Sequence, residues 1–136
     1  MARPASVHPT DGELEILRIL WAKGPSALSL VCQQLRQHRE VATTTVATML
    51  RVMLDKRLVR RKGSGRGAVW AAAVTHKKTA RGLVNKLVDV LFDGSADQLV
   101  SHLVEGGQLS SEQLTEVRQL IHLRSRSARP KKGPKR

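Results

Sequence analysis

The chain is short of several things at once, and each shortage removes a class of protein. Tyrosine is absent, and Trp21, Trp70 and Phe92 are the only aromatic side chains, so a core has to be built mainly from leucine, valine and alanine. One cysteine, Cys32, excludes an intrachain disulfide and fits a reducing compartment. It reads as a buried or half-buried thiol on a helix. The longest unbroken apolar run is Ala68–Val74, too short to span a bilayer. The first residues, M-A-R-P-A-S-V-H-P-T, contain no apolar stretch of the signal-peptide kind, so a cytoplasmic protein of bacterial type is expected. No G-x-S-x-G or H-E-x-x-H occurs. The histidines (His8, His38, His76, His102 and His122) do not pair with Cys, Asp or Glu at metal-ligand spacing. The glycines of Gly63–Gly67 lack the GxxxxGK[ST] pattern of a phosphate loop. An enzyme, a metal site, a cofactor and a small-molecule substrate are therefore not expected.

Acidic residues are scarce too: 11 Asp and Glu stand against 24 Lys and Arg, for a formal net charge of +13. The excess is uneven. Residues 1–74 carry 12 basic and 5 acidic groups, residues 75–123 carry 5 and 6, and residues 124–136 carry 7 and none. Positive charge on the N-terminal part and the tail, with a near-neutral stretch between, points to a polyanionic partner.

Thr10-Asp11-Gly12-Glu13 has the spacing of a capping box, and Leu14, Leu17, Leu20 and Trp21 follow at helical period. Lys23-Gly24-Pro25 ends that first helix. A second helix is expected near Leu28–Gln37, with Ser26 or Ser29 as its cap. A third should run from about Thr43 to Arg57, with Val46, Leu50, Met53 and Leu54 facing inward and Thr45 also turned in. Thr44, Ala47, Thr48 and Arg51 share the opposite face. Threonine is a mediocre helix former, so four of them in Thr43–Thr48 suggest a task other than helix stability. Two short strands, Leu58–Lys62 and Ala68–Ala72, are joined by a glycine turn and loaded with Arg57, Arg60, Arg61, Lys62 and Arg66.

Three helices and a cationic hairpin make a winged helix-turn-helix, and the fold expected is mainly α with a small β-hairpin. Its third helix would enter the major groove of double-stranded DNA. Arg51 can bond guanine or a phosphate. Thr43, Thr44 and Thr48 can touch phosphate or, for the latter two, a thymine methyl, or serve only as capping and surface residues. Ala47 permits close approach. Arg61, Lys62, Ser64 and Arg66 would grip phosphates or enter the minor groove. Trp21 and Trp70 read as core or wing anchors.

After Val74 only helices are expected. Thr75 caps one to about Phe92, Asp93-Gly94-Ser95 breaks it, Ser95 caps the next, Gly106-Gly107 ends that, and Ser110-Ser111-Glu112-Gln113 opens a third. The region is too small to bury its apolar stripes alone. A second copy would cover them, through Leu87, Leu91, Leu99, Leu103, Leu114, Val117, Leu120 and Ile121. The resulting division is a flexible start (1–9), a DNA-binding domain (10–74), a three-helix dimerisation region (75–124) and a disordered basic tail (125–136). Two other classes stay open: an architectural protein that coats any duplex, and a winged helix that binds another protein.

Four stretches also carry a resemblance that covers about Thr10–Leu123: D-G-E-L-E-I-L-R-I-L-W, T-T-V-A-T-M-L, G-R-G-A-V-W, and L-F-D-G-S-A-D-Q-L-V with the later L-S-S-E-Q-L. In these the chain resembles the penicillinase-repressor family of bacterial winged-helix regulators. The resemblance implies a homodimer joined by its C-terminal helices, an inverted-repeat operator, and repression of transcription. It also implies a membrane sensor metalloprotease that cleaves the repressor in the helix after Ser95. There this chain has His102-Leu103 where the best-known members have Asn-Phe. Copper-responsive members carry a C-terminal cysteine cluster that this chain does not have. Ala27 and Ala42 stand where a hydroxyl often caps helices two and three.

Overall fold

A computed structural model describes residues 8–127. The expected flexible start and basic tail lie outside it for residues 1–7 and 128–136. Along the chain come α1 (Asp11–Lys23), β1 (Ser26–Ala27), α2 (Leu28–Leu35), α3 (Thr43–Asp55), β2 (Val59–Lys62), β3 (Val69–Ala72), α4 (His76–Leu91), α5 (Ala96–Glu105) and α6 (Ser111–Ser127). The architecture is mainly α with a small antiparallel sheet, a winged helix followed by helices alone, as expected from the sequence. Two compact units divide the chain, one ending at Lys86 and the other starting at Leu87. The expected boundary at 74/75 thus falls inside the first.

In the first unit, local chemistry sets the helix ends. The Glu13 N–H donates to Thr10 Oγ1 at 3.2 Å and the Thr10 N–H donates back to Glu13 Oε1 at 2.9 Å, a complete capping box for α1. Gly24, at φ 81°, ends the helix with its N–H on the Leu20 carbonyl. α2 is not capped by serine: Ala27 holds the N-cap position, the Ser26 hydroxyl donates to the Gly24 carbonyl, and Ser29 lies inside the helix. α2 also stops at Leu35, two residues early. α3 ends at Asp55 because Arg57 turns left-handed at φ 67°. The Leu58 N–H then reaches the Met53 carbonyl and the Arg57 N–H the Leu54 carbonyl, a Schellman arrangement.

The sheet has the order β1-β3-β2. Its first strand, unforeseen in the sequence, pairs Ser26 with Trp70 and Ala27 with Val69. The core gathers Ile16, Leu17 and Leu20 of α1, Val31, Cys32 and Leu35 of α2, Val46, Leu50 and Met53 of α3, with Leu58, Val59 and Trp70. Burying a Val, Leu, Ile or Met side chain fully is worth about 1.5–3 kcal/mol, so this cluster, far more than helix propensity, holds α3 against α1 and α2. Trp21 is half-buried and its indole N–H donates to the Val74 carbonyl at 2.9 Å; its ring meets His76 edge-on at 5.1 Å.

The second unit holds the end of α4, α5 and α6. The Phe92 and Gly94 N–H groups both reach the Val88 carbonyl, Asp93 is left-handed at φ 51°, and the Phe92 and His102 rings lie 5.3 Å apart. Ser95 occupies the N-cap position of α5, but its hydroxyl bonds the Asp97 carboxylate instead of a backbone N–H. That bond holds the exposed Asp97 carboxyl below its ordinary value. Ser110 and Gln113 form a second complete capping box ahead of α6. α6 continues to Ser127, so residues 125–127, assigned to the tail from sequence, are helical. Among the described residues no helix is long and apolar enough to cross a membrane, and no three His, Cys, Asp or Glu side chains are grouped to hold a metal ion.

Candidate nucleic-acid interface

α3 is two-sided because its apolar residues recur at the helical period. Val46, Leu50 and Met53 are fully buried and Leu54 is half-buried. The other side shows Thr43, Thr44, Thr48 and Arg51 exposed, with Ala47 half-buried. Thr45, expected to face inward, is exposed as well. The helix therefore offers solvent four hydroxyls and one guanidinium over its first turns, with no larger side chain in between.

The wing is placed by strand register. Arg61 lies opposite Trp70, Val59 opposite Ala72, and Lys62 opposite Val69. Successive strand residues alternate faces and directly opposed residues share one. Val59 and Trp70 thus form the buried face of the sheet, and Arg61 continues that face past the edge of the core. Its guanidinium lies 5.7 Å from the centre of the Trp70 ring, a cation–π distance that fixes its direction. Arg60 and Lys62 point to the other face. Between the strands, Gly63 and Gly65 adopt φ 84° and 61°, and Gly65–Gly67 forms a single 3-10 turn that carries Arg66 outward.

α2, α3 and the wing together line an open cleft of about 630 Å³, with Leu28, Ser29 and Cys32 supplied by α2. Thr43, Ala47 and Arg51, one row along α3, line one wall; Arg61 and Arg66 line the other; Trp70 and Cys32 lie at its floor. Of the DNA-contacting residues expected from the sequence, Thr43, Ala47, Arg51, Arg61 and Arg66 converge here. Thr44 and Thr48 are exposed beside the cleft, and Lys62 and Ser64 lie on the outer wing. Arg36, at the C-cap of α2, also lines the cleft. Sequence reasoning passed over it, because a lone arginine near the end of the expected second helix carries no signal of what it will touch.

Charge on this face is uncompensated. The described residues form two ion pairs, Arg39–Glu15 at 2.7 Å and Lys56–Glu13 at 2.8 Å, and neither involves Arg36, Arg51, Arg61, Lys62 or Arg66. A cation already held by a carboxylate gives up that partner when it turns to phosphate; these do not. Small side chains in a row, flanked by guanidinium groups that have no carboxylate partner among the described residues, can lie against base edges while the flanks neutralise phosphates.

A family model described as penicillinase repressor matches residues 9–122. The chain is similar to the penicillinase repressor of Bacillus licheniformis, with 21% identity over 112 residues that make up 82% of this chain and 88% of that one. It is similar too to the methicillin resistance regulatory protein MecI of Mammaliicoccus sciuri, with 21% identity over 117 residues, 83% of this chain and 92% of the relative. MecI of Staphylococcus aureus strain N315 is 20% identical over the same shares.

Proposed function

The chain belongs to the penicillinase-repressor family of transcriptional repressors, and from that membership we propose that it represses by binding a specific duplex operator as a homodimer. α3 enters the major groove with Arg51 on a base edge and Ala47 and the threonines in close approach; Arg61, Lys62, Ser64 and Arg66 hold the flanking backbone. The observation that carries this reading is the convergence of Arg51, Arg61 and Arg66 on one cleft with no acidic partner among the described residues. Two-fold symmetry would match inverted half-sites about 10 bp, or a multiple of it, apart.

The dimer is supported by the second unit. Among its described residues none is buried, and Leu87, Leu91, Leu120 and Ile121 stand 40–66% exposed in the single chain. Leu99, Leu103, Leu114 and Val117 are only half-covered. Release by a membrane sensor metalloprotease at the His102–Leu103 bond belongs to the same reading. That bond lies inside α5, so cleavage there requires local unwinding. Survival of the intact protein on co-expression with the sensor and its inducer would remove this step.

The test is selection of bound sequences from a random duplex pool, followed by comparison of the selected sequence with unselected DNA. At physiological salt a repressor should prefer its site by at least ~10³-fold. Equal binding to both would favour an architectural coating of DNA, and no binding at low salt would favour a protein partner.

A further inference from the structure

The entry to α3 is held by a bond pattern that base contacts do not explain. Ala42 at the N-cap supplies no side-chain bond to the first turn. Arg36, the C-cap residue of α2, reaches across the intervening turn instead. Its Nε donates to the Val41 carbonyl at 2.9 Å, and one terminal nitrogen donates to Thr43 Oγ1 at 2.8 Å. One planar guanidinium thus grips the residue before and the residue after the N-cap. Both bonds are exposed, so they add little to global stability. They do constrain direction: two donors of a rigid fork on two acceptors set the angle of the first turn and the rotamer of Thr43. Thr43 begins the row that continues through Ala47 and Arg51, and Arg36 lines the same cleft.

We propose that Arg36 is a positioning residue for DNA recognition. Its fork does not cap the helix, since a guanidinium has no acceptor for the first-turn N–H groups, but it ties the Val41 carbonyl to Thr43 and so sets the angle at which α3 presents Thr43, Ala47 and Arg51, governing sequence discrimination more than general affinity for DNA. The inference rests on the DNA-binding reading of α3.

A residue needed only for its charge is replaced well by lysine, and a residue needed for its fork is not. The test compares Arg36→Lys, Thr43→Val and the double variant on the sequence that the wild-type protein selects from a random pool, and on unselected duplex. Arg36→Lys should weaken binding to the selected sequence ~10-fold, with unselected duplex and the salt slope held to within about two-fold because the charge remains. In the double variant the losses should be less than additive, since the Arg36–Thr43 bond is broken by either change. Retained discrimination in Arg36→Lys, equal loss on both DNAs, or additive losses would overturn the proposal. Amide hydrogen exchange without DNA supplies an independent arm. The Val46 N–H, which bonds the Ala42 carbonyl at 3.2 Å, should exchange faster in Arg36→Lys, while the Leu50 and Met53 amides keep their rates. Unchanged exchange at Val46 sinks the positioning role whatever the DNA assay gives. Faster exchange with no sequence selected even by the wild type would leave the positioning role and remove the repressor reading.

Discussion

Glu13 is 5% exposed, and its carboxylate takes the Lys56 ammonium at 2.8 and 3.1 Å and the Thr10 N–H at 2.9 Å. Burial by itself raises this carboxyl, but the Lys56 bond, the Thr10 bonds and the Lys56 charge together bring it below its ordinary value of 4.5. Since the folded value is below the unfolded one, the stabilisation is complete above about pH 4.5 and is lost as pH falls through the folded value. Lys56→Met strands the carboxylate and should cost about 1–3 kcal/mol at neutral pH. It should also weaken the acid sensitivity: without Lys56 only the Thr10 bonds oppose burial, so the carboxyl is lowered less and the variant should lose less stability than the wild type as pH falls below 4.5. Thermal melts between pH 7 and about pH 3 check this, and parallel profiles for the two proteins would refute it. Arg57 offers a second change. A side chain at φ 67° is strained where glycine is not, and Arg57→Gly should raise stability by about 0.5–1 kcal/mol, the strain relieved less the glycine's entropy. Chemical denaturation without DNA reads it. Neither position is legible in the sequence. Lys56 looks like one more cation ahead of the wing, and a left-handed arginine is dictated by β2 starting directly after α3, not by its own preference.

Elements differ in how much of themselves they reveal. α1 is legible because Thr10 and Glu13 are three apart ahead of an apolar repeat, and α3 because its buried residues recur at the helical period. β1 is not: two residues cannot display an alternation, and Ser26 and Ala27 become a strand only because β3 passes beside them. The cation run of the wing is plain in the sequence, but which of its members share a face with α3 depends on the phase of β2. Arg61 pairs with Trp70 and turns to the cleft, whereas Lys62 pairs with Val69 and turns away. This separation gives different expectations for α3 and the wing. Arg51→Ala should cost about 1–3 kcal/mol on the selected sequence and relax preference at one base position. Arg66→Ala, on the turn, should weaken all duplexes alike and lower the logarithmic salt slope by about 1. Titrations of both variants against selected and unselected DNA at several salt concentrations separate them; a uniform loss for Arg51→Ala would reassign it to phosphate.

At the scale of the whole molecule the two units pose opposite problems. The first buries a dozen apolar side chains in one cluster and is complete by itself. The second leaves Leu91 at 66% and Ile121 at 60% exposed, with Val90 and Leu120 similar. So many exposed large apolar side chains in one short unit leave surface in want of a cover. A stable interface buries roughly 1,200–2,000 Å² in total, and a second copy supplies the same apolar residues. Because Leu91 and Ile121 are exposed in the single chain, Leu91→Asp and Ile121→Asp should cost the monomer little. Any large effect must therefore come from association. The wild type should sediment as a dimer at micromolar concentration and both variants as monomers. Affinity for a two-half-site operator should fall by about 10²–10⁴-fold, because the second half-site is no longer bound intramolecularly. Affinity for a single half-site should stay unchanged, which separates loss of the partner from damage to α3. A wild-type chain that sediments as a monomer, or variants that still dimerise, would mean that another partner covers this surface.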